Sequence, residues 1–540
     1  MKHCVDYFFV ACVLCFACLA YQGSCLITAE GAVIDSDLAT YAQGMAGADR
    51  PELFLADPVL HTRSPANSIP NAERVLANLL TPGSAYALGL LRAGALILVA
   101  FFLSWYAFGK WLFKSGAQAI ILVSVVSITV WVGLGTFWGI AHSDPVPRVF
   151  HAALWPWMLM LAVRAYKVVS LRPLAMLVAG LGMWLHGVSA LQTGALFFCA
   201  FFFHKPKFCT VFRHAKILFF SLLAFFLPVL LFLWPSLLQQ RSFSPEELGI
   251  FAQSFAIRWH EDYGNILDSL RALFSPFCPI AYIFYGGIAA CVLSWRSANE
   301  RVRTLAHMMP AFLFAFFCVF LFSYLESHYA YDFGRVSMGH ELVRGIRFLV
   351  PLSWIFIAAS CMSVLDRFPK AVHYVMAALL VFVTVFLSHD KQYIAASSAV
   401  SALGGLTLPL SREGQAMQAR AEQAREALTA LHQRIHMGDT LFCLDDQMMA
   451  ARYLAFCPLV YSFKDGYVFF YNKDVDGMRT WLTYTELVHK GEAGIFEAWR
   501  QSKATWYLTR RASPQTPKDT ELVFENADWR LFRRRVAPAR

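Results

Sequence analysis

Residues 29–60 read AEGAVIDSDLATYAQGMAGADRPELFLADPVL, and the rest of the chain is organised around this stretch. It is polar and acidic, and it follows directly on an apolar run at the N-terminus. Asp35 and Asp37 stand two apart in Asp35-Ser36-Asp37, with Tyr41, Asp49 and Asp57 further on. In an extended segment, residues two apart project to the same side. On that geometry Asp35 and Asp37 are candidate catalytic carboxylates, either as a base or as joint ligands of a divalent cation (Mg or Mn). A D-x-D pattern is also common by accident, and solvated loop acids account for it without any chemistry. The surroundings of the loop decide between these readings.

Those surroundings are membrane. Of 540 residues, 58% are apolar and only 15% charged, against roughly 45–50% and 25% in soluble domains. The mean hydropathy is +0.49. The net charge of +10 raises the question of nucleic acid, but Lys and Arg also accumulate in the cytoplasmic loops of membrane proteins. Residues 7–29 read as a retained first transmembrane helix, because Lys2 is offset by Asp6 and no clean cleavage site follows the apolar run. Further apolar runs lie near 88–108, 117–140, 149–163, 173–186, 188–203, 217–234, 275–294, 305–325, 346–363 and 371–389. At ~20 residues per crossing, they predict an all-α polytopic protein of about eleven transmembrane helices, with 149–163 and 173–186 short for a span.

Charge then orients the helices. One set of alternate loops carries fourteen Lys and Arg against two acids, Glu300 and Asp366. The other set is balanced or acidic, and the first polar loop holds seven acids against three Arg. Basic loops resist translocation, so the N-terminus is expected in the cytoplasm. The loops near 30–83, 235–272 and 326–345 then share one extracytoplasmic face. This distribution accounts for the positive charge without nucleic acid.

Beyond residue 390 the chain turns polar. A linker and polar helix over 391–436 precede a small extracytoplasmic α/β domain over 437–540. In that domain β-type runs at 440–444, 459–463, 505–509, 522–525 and 529–533 alternate with helix-like segments. Asn526-Ala527-Asp528 marks a hairpin turn. Most of the thirteen Cys fall inside apolar runs, where a thiol is a small hydrophobe, and no zinc spacing appears. Cys443 and Cys457, in the polar region, are the disulfide candidates.

Three further constellations share the outer face. Arg258-Trp259-His260-Glu261-Asp262-Tyr263 offers Arg258 and His260 for a phosphate, although Trp and Arg also belong to interfacial belts. In the second, His340, Glu341, Arg344 and Arg347 stand at the entrance of an apolar run. Arg on the outer face runs against the usual charge bias, which points to an anionic partner rather than simple snorkelling. Arg92 lies inside an apolar run, where a charge is costly and a functional candidate by default. His186, at a tight turn before Gly187, reads as a helix-end histidine satisfied by backbone.

A carboxylate motif in the first outer loop, about eleven helices and a C-terminal α/β domain resemble the GT-C superfamily of membrane glycosyltransferases. The motif match is Asp35-Ser36-Asp37, with residues 51–57 (PELFLAD) similar in general character. The resemblance implies a sugar donor linked to a polyprenyl phosphate and a loop carboxylate acting as base or cation ligand. It implies an extracytoplasmic acceptor (glycan, lipid or protein) in contact with membrane lipid, and a bacterial inner (plasma) membrane location. No match to the C-terminal signature of oligosaccharyltransferases is found. The competing expectations are a transporter or flippase of a lipid-linked or small polar solute, and a silent assembly protein. Transporters place charges at the midplane and show paired halves, neither of which is evident in this sequence.

Overall fold

In the computed structural model the described residues are 4–61, 72–133, 135–140, 146–206, 209–237, 242–263, 266–405, 408–512 and 519–535. Among them, five helices are long and apolar enough to cross a membrane: Cys4–Ile27, Tyr86–Phe113, Val211–Trp234, Glu300–Tyr329 and His340–Leu365. A sixth span results if Lys370–Phe386 and Lys391–Gly404, a bent pair, are counted as one. Gly116–Val126, Val169–Trp184, Gly187–Phe203 and Pro279–Ser294 are apolar but shorter. The chain is thus an integral membrane protein, but the expected eleven full-length spans resolve into long helices and shorter partners packed among them.

The clearest departure is the run 117–140. Its helix stops at Val126, and two short strands follow, β1 (Val130–Gly133) and β2 (Thr136–Trp138), paired antiparallel. Alternating β-branched and aromatic residues favour this extended backbone. Gly133 and Gly135, both at positive φ, turn the chain. Folding back lets the Trp138 indole donate to the Val126 carbonyl at 3.0 Å, which satisfies a helix-end acceptor. Trp138 then packs edge-on against Trp105 and Trp155, at the centre of an aromatic core that includes Phe348.

A second departure begins at residue 391. In place of a linker, Lys391–Gly404 is a helix with Gln392 to Ala399 buried. It lies against Cys4–Ile27 so closely that a Cβ on Gly23 would stand 1.7 Å from the Ala395 carbonyl oxygen. Helix Ser411–His432 follows, burying Ala421, Ala424, Ala427 and Leu428. Its alanine stripe is a packing face, not a wholly solvated surface.

The five strands expected in the C-terminal region all form: β3 (Leu441–Cys443), β4 (Leu459–Tyr461), β5 (Trp506–Arg510), β6 (Thr520–Glu525) and β7 (Trp529–Arg534). Their order is β4-β3-β5-β7-β6. The first three are parallel, and β7 and β6 continue antiparallel. The register overturns the disulfide. Leu441 pairs with Leu459 in a parallel ladder, so Cys443 lies two residues beyond that rung and Cys457 two before it. At ~3.3 Å per residue they are roughly 13 Å apart, beyond bridging distance. Both are free, buried thiols.

Candidate functional site

The site is assembled by a helix that the sequence conceals. Residues Ser36–Asp49 are helical, and Asp35 is the N-cap, its Oδ1 accepting from the Asp37 amide at 2.9 Å. The extended D-x-D geometry is therefore corrected. Asp35 serves the helix terminus and lies 3.8 Å from Lys391 Nζ. Asp37, in the first turn, faces other cations: Lys464 Nζ at 2.5 Å and Arg148 at 3.6 Å. Two carboxylates with separate cationic partners do not make joint metal ligands. Among the described residues no group of three or more His, Cys, Asp and Glu gathers in metal-binding fashion. Asp35 and Asp37, each turned to a cation of its own, do not present here the shared pair expected for Mg or Mn.

Burial acts to raise the Asp37 pKa, but Lys464, then Arg148, then Arg344 outweigh it and hold the carboxyl below its ordinary value. The carboxylate is thus ionised inside a cationic field drawn from three elements. Lys464 precedes helix Asp465–Asn472 in the C-terminal domain, Arg148 lies in the first turn of helix Pro147–Lys167, and Arg344 comes from His340–Phe348.

The last of these is a 3-10 helix of nine residues, long for that geometry. At three residues per turn, positions i, i+3 and i+6 eclipse. Glu341, Arg344 and Arg347 therefore form one file, where an α-helix would fan them apart. Arg344 pairs with Glu341 at 2.9 Å. Buried Arg347 donates to Thr136 Oγ1 at 3.3 Å and to Ser189 Oγ at 2.5 Å. It also contacts His186 Nδ1 at 3.3 Å. His186 caps helix Gly187–Phe203, accepting from the Ser189 amide, so the helix-end reading holds. Burial, reinforced by Arg347, holds its pKa well below 6.5 and keeps the ring neutral. Arg148 and Arg347 line one small cavity with Phe137, Trp138 and Phe348. Arg148 stacks on Phe137 at 4.3 Å, and its buried Nε has no hydrogen-bond partner among the described residues.

The other expected residues divide. Arg258 stacks on Phe463, the neighbour of Lys464, at 4.7 Å. The His260 side chain lies outside the described residues. His340 is buried against Phe255 and Phe470 and touches the Tyr471 hydroxyl at 3.4 Å, in a packing position. Arg92 is corrected: it is exposed and held by Tyr21 and the Leu80 carbonyl, with no contact to the cluster. Asp57 is fully buried against Arg452 and belongs to the framework.

Sequence reasoning missed Arg148 and Lys464. Arg148 carried the same signal as Arg344, an Arg at the outer end of an apolar run. Lys464 carried none, because only the docking of the C-terminal domain brings it to Asp37. As an arrangement, several guanidinium and ammonium groups suit a phosphate-bearing ligand, and the ionised carboxylate beside them suits a second group with a proton to give up.

No family model and no curated protein matches this chain. Among the solved structures that match, two align along most of it. One is ArnT from Cupriavidus metallidurans bound to undecaprenyl phosphate, at 12% identity and a TM-score of 0.47, covering 98% of each chain. The other is the Archaeoglobus fulgidus oligosaccharyltransferase tethered with an acceptor peptide, at 12% identity and a TM-score of 0.41, covering 93% of this chain and 69% of that one. At these values the likeness extends to no residue or reaction of this chain.

Proposed function

We propose that the protein is a membrane glycosyltransferase that moves a sugar from a polyprenyl-phosphate-linked donor to an extracytoplasmic acceptor hydroxyl. The observation that carries this reading is Asp37, ionised and flanked by Lys464 and Arg148, with Arg344 lowering its pKa further. The donor phosphate takes up the cations, with Arg344 and Arg148 presenting planar N–H forks and Arg347 lining the floor. As the phosphate neutralises them, the field that depresses the Asp37 pKa weakens and its basicity rises. The acceptor oxygen then attacks the anomeric carbon and passes its proton to Asp37. The carbon–oxygen bond to phosphate breaks, and polyprenyl phosphate leaves with the electron pair, stabilised by the same cations. Orientation rests on the loop charge bias, which puts this face outside.

The test is turnover in proteoliposomes supplied with a polyprenyl-phosphate hexose and a crude envelope acceptor fraction. Protein-dependent release of free polyprenyl phosphate, with label appearing in the acceptor, is expected. Movement of the lipid or solute across the bilayer with no covalent transfer would replace this reading with transport.

A further inference from the structure

The 3-10 helix His340–Phe348 is a stretched form of its own sequence. It rises about 2.0 Å per residue against 1.5 Å in an α-helix, so its nine residues span roughly 18 Å rather than roughly 13–14 Å. Runs of this length are uncommon because the hydrogen bonds are poorer. Here both ends are anchored. The C-terminal end continues into helix Leu349–Leu365 and is fixed by buried Arg347 on Thr136 and Ser189. The N-terminal end is held by Glu326, from the outer part of helix Glu300–Tyr329. We propose that Glu326 is a positioning residue, which acts through that end of the 3-10 helix to keep Arg344 in the cation group around Asp37. Its consequence for donor binding rests on the transfer reading, whereas its consequence for Asp37 does not.

Glu326 is buried, and both its carboxylate oxygens accept from the segment that leads into the helix. Oε1 takes the Met338 amide at 3.0 Å, and Oε2 takes the Gly339 amide and the Ser337 hydroxyl, each at 2.8 Å. One turn earlier, Ser323 donates to the Gly339 and His340 carbonyls at 2.8 and 3.0 Å. Gly339 lies so close that a Cβ there would stand 3.0 Å from Oε2. Burying a charge is costly, and the only cation shown for this one is the exposed Arg335, at 3.6 Å. What the carboxylate secures in return is the position of the backbone at 337–339. Without that anchor the helix is free to shorten to α-geometry. Each residue then turns about 100° instead of 120°. Arg344, three residues before the anchored Arg347, swings about 60° out of file, and Glu341, its ion-pair partner, about 120°. Asp37 keeps Lys464 and Arg148 but loses Arg344.

The experiment uses the full chain in phosphatidylcholine nanodiscs. Glu326→Gln conserves shape, but its NH2 must oppose an amide N–H whichever way it is turned, since each oxygen accepts from one. The first readout is the titration of the Asp37 carboxyl by infrared difference spectroscopy, its band assigned by loss in Asp37→Asn. Glu326→Gln is expected to move the midpoint upward, as Arg344→Gln does, because Arg344 no longer favours the carboxylate. The combined variant should move it no further than Arg344→Gln alone, whereas independent defects would add. The second readout is binding of a polyprenyl-phosphate hexose. Glu326→Gln should raise its Kd about ten-fold, the scale of one hydrogen bond to a charged group, with no further effect once Arg344 is replaced. Gly339→Ala, which presses a methyl group on the same carboxylate, should shift both readouts the same way and serves if Glu326→Gln does not fold. An unmoved Asp37 midpoint in the folded variant would overturn the proposal, as would shifts that add in the combined variant. A shifted midpoint with no donor binding by the parent would count against the transfer reading alone.

Discussion

Replacing Arg452 by Met removes the charge that joins the first loop to the C-terminal domain. Arg452 is fully buried, and its guanidinium bonds Asp57 at 2.6 and 3.0 Å, Asp465 at 2.8 and 2.9 Å and the Gln43 carbonyl oxygen at 2.9 Å. Burial works against that charge, and Asp465 and Asp57 outweigh it, so the guanidinium stays protonated. Asp57 keeps the amides of Val59, Leu60 and Leu459 after the change. Asp465 loses both side-chain donors shown for it and is left as a buried charge. Removing one partner of a buried pair costs about 3–5 kcal/mol, and for a unit of this size that lowers Tm by at least roughly 10 °C. The assay is thermal unfolding in detergent with limited proteolysis to report release of the C-terminal domain. Unfolding of such a protein is not two-state, so the comparison is of midpoints at one scan rate. The combined variant R452M/D57N/D465N has no stranded charge and should recover more than half of the loss. A single variant within about 2 °C of the parent, well inside the shift expected from a buried pair, would refute the reasoning, as would a triple variant no better than the single.

Other outcomes follow from the same geometry. Because the folded pKa of Asp37 is depressed, its ion pairs contribute stability above the unfolded carboxyl value, lost as pH falls through the folded one. The acid limb of kcat/KM should accordingly lie below the usual ~3.9, and Lys464→Met should move it upward in a pH–rate profile. Gly23→Val, which drives a branched side chain into the Ala395 carbonyl, should lower the yield of folded protein in size-exclusion chromatography, whereas Gly44→Ala, with open space around its Cβ position, should not. Cys443 and Cys457 should resist maleimide until the protein is denatured, and mass spectrometry should find no peptide linking them.

The strands of the C-terminal sheet were legible because short β-branched and aromatic runs alternate with turn residues there. Arg344 and Arg347 were legible as cations on the wrong side of a charge bias. Asp35 and Asp37 were not separable, since only the helix that begins between them turns one into a cap and leaves the other facing cations. The register that parts Cys443 from Cys457 and the fold-back at Trp138 are tertiary choices, set by packing partners far away in the chain. The 3-10 geometry that aligns Glu341, Arg344 and Arg347 also leaves no local signature, because its residues are compatible with an α-helix.

The most direct measurement is a comparison of Asp37→Asn with Arg344→Gln for donor binding and turnover side by side. If Asp37 is the base and Arg344 holds the phosphate, Asp37→Asn binds the polyprenyl-phosphate hexose within about two-fold of the parent yet transfers roughly 10²–10⁴-fold more slowly. Arg344→Gln weakens donor binding itself. Turnover by Asp37→Asn at the parent rate, with donor bound, would contradict the assignment.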